Sequence, residues 1–407
     1  MGYKDRAIRG VFWLTLFRGS SRIATFVRLA ILGRLLTPAE FGFFGIAALL
    51  LALLEIITET GINVFLVQEK KHISEYINSA WLISILRGTV LGILIFFMAP
   101  FISVFFNAPQ STPIIALISL VPFIRGFINP AIIIYQKELL FHREFQLRSF
   151  LFLVDVTVSI VVAFITRSAA SFVWGLLVSA VFEVTFSYIL IPLWPKLLFE
   201  FEKVKYVFKR GGWVTLTGIF NYFAENGDNL AVGKILGSSS LGIYQVAYKF
   251  STLSISEITN VINQVLFPVY SKFSDDLDRI KRSFLRVMVV SSFGALVLGG
   301  VIFIMARPLI LIFMGDQWVG AVPAIKILAI YGIVRTVFGN FSPMFLSIGK
   351  QDYVAKMTFV RCLALAAFII PLVNNFGMVG AGYAMLISIF FEIPVIILFT
   401  LKVFRKS

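Results

Sequence analysis

Apolar stretches of bilayer length recur along the whole of this 407-residue chain. Counted at roughly 20 apolar residues per span, there are about twelve. They lie near 11–36, 41–66, 78–106, 112–136, 149–166, 169–194, 211–236, 241–270, 284–305, 320–348, 354–373 and 378–401. Hydrocarbon offers no partner to a backbone N–H or C=O, so each stretch must satisfy its own as a helix. Composition agrees, with 59% hydrophobic and 14% charged residues against about 25% charged in soluble domains. Mean hydropathy is +0.92. The expected fold class is an all-α polytopic membrane protein. Met1–Gly10 is short and charged and has no small-residue cleavage site, so the first span is expected to act as the inserting signal. Cys362, the one cysteine, allows no internal disulfide and is expected to be a small buried hydrophobe.

The net charge of +15 is distributed by side. Clusters such as Lys4/Arg6/Arg9, Lys203/Lys205/Lys209/Arg210 and Arg279/Lys281/Arg282/Arg286 fall in connections on one side. The connections 107–113 and 374–377 on the other side hold no basic residue. That asymmetry places both termini in the cytoplasm, for a multi-pass protein of the cytoplasmic membrane. It orients the chain and gives no reason to expect a nucleic-acid partner.

The chain also repeats. Gly33-Arg34-Leu35-Leu36 with a polar turn and Phe41-Gly42 returns as Gly233-Lys234-Ile235-Leu236 with Leu241-Gly242. Pro100–Phe106 is echoed by Pro308–Met314, and Arg125 with Pro130 by Arg335 with Pro343. An even number of helices per repeat makes the repeats parallel, so two six-helix lobes, 1–200 and 201–407, are expected around a central cavity. Pro195–Arg210 is the expected linker. Such duplication suits alternating access.

Four arginines, Arg18, Arg22, Arg28 and Arg34, interrupt the first span. Each costs at least roughly 2.5–3.5 kcal/mol near the bilayer centre, so they are rarely left facing lipid. At 100° per residue Thr15, Arg18, Ser21, Arg22, Thr25 and Arg28 share an arc of about 140°. Arg34 lies apart, near enough to the end to snorkel. The repeat carries this stripe onto Thr215, Gly218, Asn221, Tyr222, Glu225 and Asp228, a polar face of opposite sign.

The run Arg9-Gly10-Val11-Phe12-Trp13 through Arg18-Gly19, then Leu32-Gly33-Arg34-Leu35-Leu36-Thr37-Pro38-Ala39-Glu40-Phe41-Gly42, resembles a known family. Gly61-Ile62, Gln68 and the Gly233–Gly242 echo extend the likeness. It is similar to the polysaccharide-transporter branch of the multidrug/oligosaccharidyl-lipid/polysaccharide exporter superfamily, the O-antigen and exopolysaccharide flippases. The resemblance implies two six-helix lobes around a cavity and translocation of polyprenyl-diphosphate-linked glycans. Lipid-linked glycan and membrane lipid would be the partners, with a monomer as the working unit and an association with polysaccharide polymerase machinery.

Arg18, Arg22 and Arg28 suit a diphosphate, because a guanidinium fork makes charge-assisted bidentate contacts to phosphate oxygens. The competing reading pairs them with Glu55 and Glu59. Arg125 and Arg335 are further candidates for substrate contact, and Arg87 and Lys249 are lone mid-membrane cations. Glu225, Asp228 and Asn221 are candidates for coupling or gating. A carboxylate in a low-dielectric site can hold a proton, these oxygens could take Na⁺, or the acids could close against the arginine stripe. Asp155, Glu183, Glu257 and Glu392 are expected as packing partners. In the second half Lys249 and Arg335 stand against Glu225, Asp228, Glu257 and Glu392, so an anion site belongs to the first lobe.

No cofactor is expected beyond a coupling ion, H⁺ or Na⁺. His72 and His142 sit in charged connections, and no nucleotide loop or metal-ligand spacing occurs, so neither catalytic residues nor a metal centre are expected. A cation-coupled multidrug exporter of the same superfamily is the alternative, against which the arginine stripe speaks. A glycan polymerase or ligase would need larger outer connections than 306–319, the longest here.

Overall fold

A computed structural model describes residues 19, 21, 23–58, 76–138, 140–196, 201–256 and 277–404, with backbone alone at 136, 141, 201–217, 253, 277 and 278. Among these residues there is no strand. Helix α1 covers 23–35, α2 Pro38–Ile57, α3 Ile77–Phe105, α4 Thr112–Ile118 and α5 Leu120–Arg125. Then come α6 Phe141–Thr166, α7 Ala170–Ile189, α8 Phe201–Tyr248 and α9 Leu277–Ile304. The last are α10 Ala306–Phe313, α11 Val322–Gly339, α12 Phe341–Ser347 and α13 Gln351–Phe404. The chain divides into two compact units, Met1–Ile219 and Phe220–Ser407. The stretch Pro195–Arg210, expected as a linker, is helical from Phe201 onward.

Prolines set the interruptions. The expected span 112–136 breaks at Ser119, because Pro122 has no N–H for the carbonyl of Ile118. It ends before Pro130, which starts a 3₁₀ turn capped by the Asn129 side chain. Pro343 likewise separates α11 from α12 at Asn340. α13 has 54 residues. At about 1.5 Å each that is more than twice a bilayer core. It is divided by Gly377, at φ 60° and ψ −139°, a conformation few side chains allow. Gly377 closes the expected connection 374–377, whose other residues are helical.

Seven of the described helices are long and apolar enough to cross a membrane. Their outward side chains include Phe101, Ile165 and Ile304, each more than 70% exposed. Apolar surface on that scale is stable only when something apolar covers it, which a bilayer does.

The sequence echoes reappear as backbone. The helix breaks at Thr37 in the first unit, and at Gly237, φ 85°, in the second. Asn107 and Gly315 both take positive φ just after their Pro100 and Pro308 segments, as do Arg167 and Gly377 farther on. Arg125 and Arg335 stand the same distance apart along the chain as Arg167 and Gly377.

The Leu-Thr-Pro-Ala-Glu-Phe-Gly turn has a tertiary role. Thr37 caps α2, its side chain accepting from the Glu40 N–H at 3.4 Å with Pro38 at the first turn. The Glu40 carboxylate reaches across and accepts the backbone N–H of Ala169, the N-cap of α7. Phe41 and Phe44 then pack on Phe172, at 5.1 and 4.6 Å between ring centroids. The motif thus clasps the start of α2 to the start of α7.

Candidate functional site

The first unit buries one of the stripe arginines. Arg28 donates to Asp155 Oδ2 at 2.6 Å and to Ser159 Oγ at 2.8 Å, and its guanidinium lies 5.3 Å from the Phe172 ring centroid. Ser159 also donates to the other Asp155 oxygen at 3.3 Å. The two charged side chains keep 15% and 11% of their surface. Arg28 is therefore a structural ion pair. Arg28, expected either to contact substrate or to pair with the second-span glutamates, is corrected on both counts, since its partner is Asp155 on α6. Asp155 meets its expectation as a packing partner.

Gly175 of α7 explains how α6 and α7 come close enough for this cluster. A Cβ at Gly175 would sit 2.6 Å from the Asp155 carbonyl oxygen and overlap the Asp155 and Ser159 side chains. Gly175→Ala should therefore destabilise the protein by about 1–3 kcal/mol through overpacking. Thermal unfolding in detergent measures it, and an unchanged midpoint would remove this account of the α6–α7 contact.

A cavity of about 380 Å³ opens in the same unit, among Glu55, Arg87, Arg125, Glu144, Arg148 and Glu183. Arg87 donates to the Glu55 carbonyl at 2.8 Å and to the Thr58 hydroxyl at 3.2 Å, so it caps the C-terminus of α2. A cation is favoured there by the helix dipole. Arg125 lies 3.3 Å from Glu183 and keeps 40% of its side chain open. Arg148 pairs with Glu144 one turn away, at 2.8 Å. Arg18, Arg22, Glu59 and Glu257 lie outside the described residues.

The second unit holds a cavity of about 490 Å³, lined by Asn221, Glu225, Tyr248, Arg335, Arg361 and Glu392 among others. Glu225 accepts from Arg335 and, at 3.4 Å, from Arg361. Arg335 also donates to the Tyr331 hydroxyl at 2.8 Å. The counter-charges of Glu225 are thus in its own unit, and Arg335, expected to contact substrate, is its partner. Asp228, one turn on, is fully buried and does not line the cavity. It accepts from Tyr244 Oη at 2.8 Å and from the Asn229 backbone and side-chain nitrogens at 2.8 and 3.0 Å. The π-turn Lys249–Leu253 places Thr252 on the cavity wall, the sort of helix irregularity common at functional sites.

Arg361 is the site residue that sequence reasoning missed. It stands mid-way along the apolar run 354–373, where the rule applied to Arg335 would have found it. The two cavities also correspond. Arg125, Arg148 and Leu151 of the first match Arg335, Thr358 and Arg361 of the second along the repeat, and Glu183 falls one position from the register of Glu392.

Helices of membrane length, an apolar exterior and charged pairs enclosed within each unit define a multi-pass helical membrane protein. The chain belongs to the family described as polysaccharide biosynthesis protein, which matches residues 31–323. This bears out the likeness drawn from the first span and the Leu32–Gly42 turn. The lipopolysaccharide biosynthesis protein WzxC of Escherichia coli is 25% identical over 383 residues, covering 91% of this chain and 76% of that one. The fold is similar to that of the lipid II flippase MurJ in an inward closed conformation, at TM-score 0.78 and 15% identity over 95% of this chain and 87% of that one. It is also similar to an inward-facing multidrug resistance MATE family transporter of the MOP superfamily, at TM-score 0.70 and 15% identity over 95% and 96%.

Proposed function

We propose that this protein is a flippase, a transporter and not an enzyme, that moves a polyprenyl-diphosphate-linked oligosaccharide across the cytoplasmic membrane for cell-surface polysaccharide synthesis. The observation that carries this reading is a fold like that of a lipid II flippase in a chain of a polysaccharide-biosynthesis family. A glycan assembled on a lipid inside the cell must cross with its headgroup shielded from hydrocarbon. About twelve helices in two parallel six-helix lobes supply two-sided access for it. Both termini lie in the cytoplasm, as the basic clusters require.

Arg18 and Arg22 bind the diphosphate as forked donors. Arg125, which keeps 40% of its side chain open and lines the first-unit cavity, adds a contact. The polyprenyl tail remains in lipid. H⁺ or Na⁺ entering the polar face of Asn221 and Glu225 drives the cycle, assisted by the membrane potential at about 2.3 kcal/mol per charge per 100 mV.

The test is complementation of a glycan-flippase-null strain. The wild-type chain should restore surface polysaccharide, and the double variant Arg18→Ala/Arg22→Ala should not, while reaching the membrane in normal amount. Full export by the double variant would sink the phosphate assignment. Failure of the wild-type chain to export any lipid-linked glycan offered would sink the flippase reading.

A further inference from the structure

Glu392 stands out among the acids of the second unit. It lies on α13 with 7% of its surface exposed, and it lines the 490 Å³ cavity. Among the described residues it accepts no hydrogen bond and has no cation within ion-pair distance. Its neighbours are otherwise engaged. Glu225 takes both Arg335 and Arg361, and Asp228 is held by Tyr244 and Asn229. The repeat shows what is missing. In the first unit Glu183, one position from the repeat counterpart of Glu392, pairs with Arg125, the counterpart of Arg335. In the second unit Arg335 has been drawn away to Glu225.

A carboxylate on the wall of a narrow cavity, without a donor from the protein, is costlier ionised than in bulk water and less so when neutral. Other titratable groups facing it are Glu225 from α8, Tyr248 at the head of the π-turn, Arg335 from α11 and Arg361 from α13 itself. Two guanidinium groups on the same wall oppose any cation, but a proton bonds one oxygen directly whereas a metal ion needs several oxygen ligands. The Arg361 Nε is buried and also lacks a hydrogen-bond acceptor, so a second arrangement of these partners is open to it.

We propose that Glu392 is a proton-binding site, protonated in the arrangement seen here, and that its ionisation draws Arg335 or Arg361 away from Glu225. The proton is taken from and returned to water in the cavity, and no other bond changes. Its use in transport rests on the flippase reading, and proton binding itself does not.

Infrared difference spectroscopy of the purified full chain, between mildly acidic and mildly alkaline buffer, tests this directly. A protonated-carboxyl stretch should appear in the wild type, persist in Asp228→Asn, weaken in Glu225→Gln, which frees both arginines for Glu392, and vanish in Glu392→Gln. If that variant is not recovered folded, Glu392→Asp should shift the band in frequency. Persistence of an unaltered band in either Glu392 variant overturns the proposal, as does its absence from the wild type. Sodium chloride added at constant pH should leave the band unchanged, and its removal by sodium would make this a metal-cation site instead. A normal band in a chain that fails complementation would remove the flippase reading alone.

Discussion

Arg28→Ala should lower folding stability by about 3–5 kcal/mol, because it strands the Asp155 carboxylate in an interior built to neutralise it. Arg28 and Asp155 meet at 2.6 Å with 15% and 11% of their side chains exposed, so little water is at hand to replace the lost partner. Ser159 alone remains to donate, at 3.3 Å. The thermal midpoint in detergent should fall sharply, and less protein should reach the membrane. The double variant Arg28→Met/Asp155→Leu removes both charges and keeps the volume, so it should recover most of the stability. Export should return with it, since the Arg28 fork is occupied by Asp155 and Ser159. A wild-type midpoint for Arg28→Ala would overturn the structural role. Restored folding without restored export would return Arg28 to the substrate site.

Glu225→Ala is expected to have the second large effect, because one carboxylate serves two arginines. Its loss removes the carboxylate oxygen that Arg335 and Arg361, 23% and 13% exposed, share, and leaves Glu392 as the acid beside them on the cavity wall. Glu225 keeps 38% of its side chain open to the cavity, so water screens part of the cost. We expect about 2 kcal/mol in stability and loss of glycan export. Adding Arg361→Met to Glu225→Ala should regain stability, which a double-mutant cycle would report as coupling. Independent, additive effects of the two substitutions would show that Arg361 and Glu225 do not form a working pair.

The helices were legible where one rule governs them. Apolar length marked the spans because an unpaired backbone has no alternative in lipid. Pro122 and Pro343 then placed interruptions the length rule could not see, although each is visible in the sequence once the missing N–H is considered, whereas the break at Gly377 falls in the connection 374–377 that span length had marked. The site was legible by residue type and not by partner. Every intramembrane arginine was expected to avoid lipid, and Arg28, Arg87, Arg125 and Arg335 do so by engaging acids or carbonyls. Arg361 fell to the same rule and was passed over.

By itself the sequence determined that the chain is helical, lies in a membrane, repeats itself and keeps its charges inward, since hydrocarbon makes those demands of each segment separately. Only the tertiary structure decided which charge meets which. Arg28 finds Asp155 127 positions away, and Arg335 finds Glu225 110 positions away. An ion pair depends on a few ångströms of helix packing, and small features set that packing, such as Gly175 at the α6–α7 contact and the Glu40 clasp on Ala169. Glu392 shows the difference most plainly. In the sequence it is one more intramembrane acid, and in the fold it is the one beside two arginines that both point to another carboxylate.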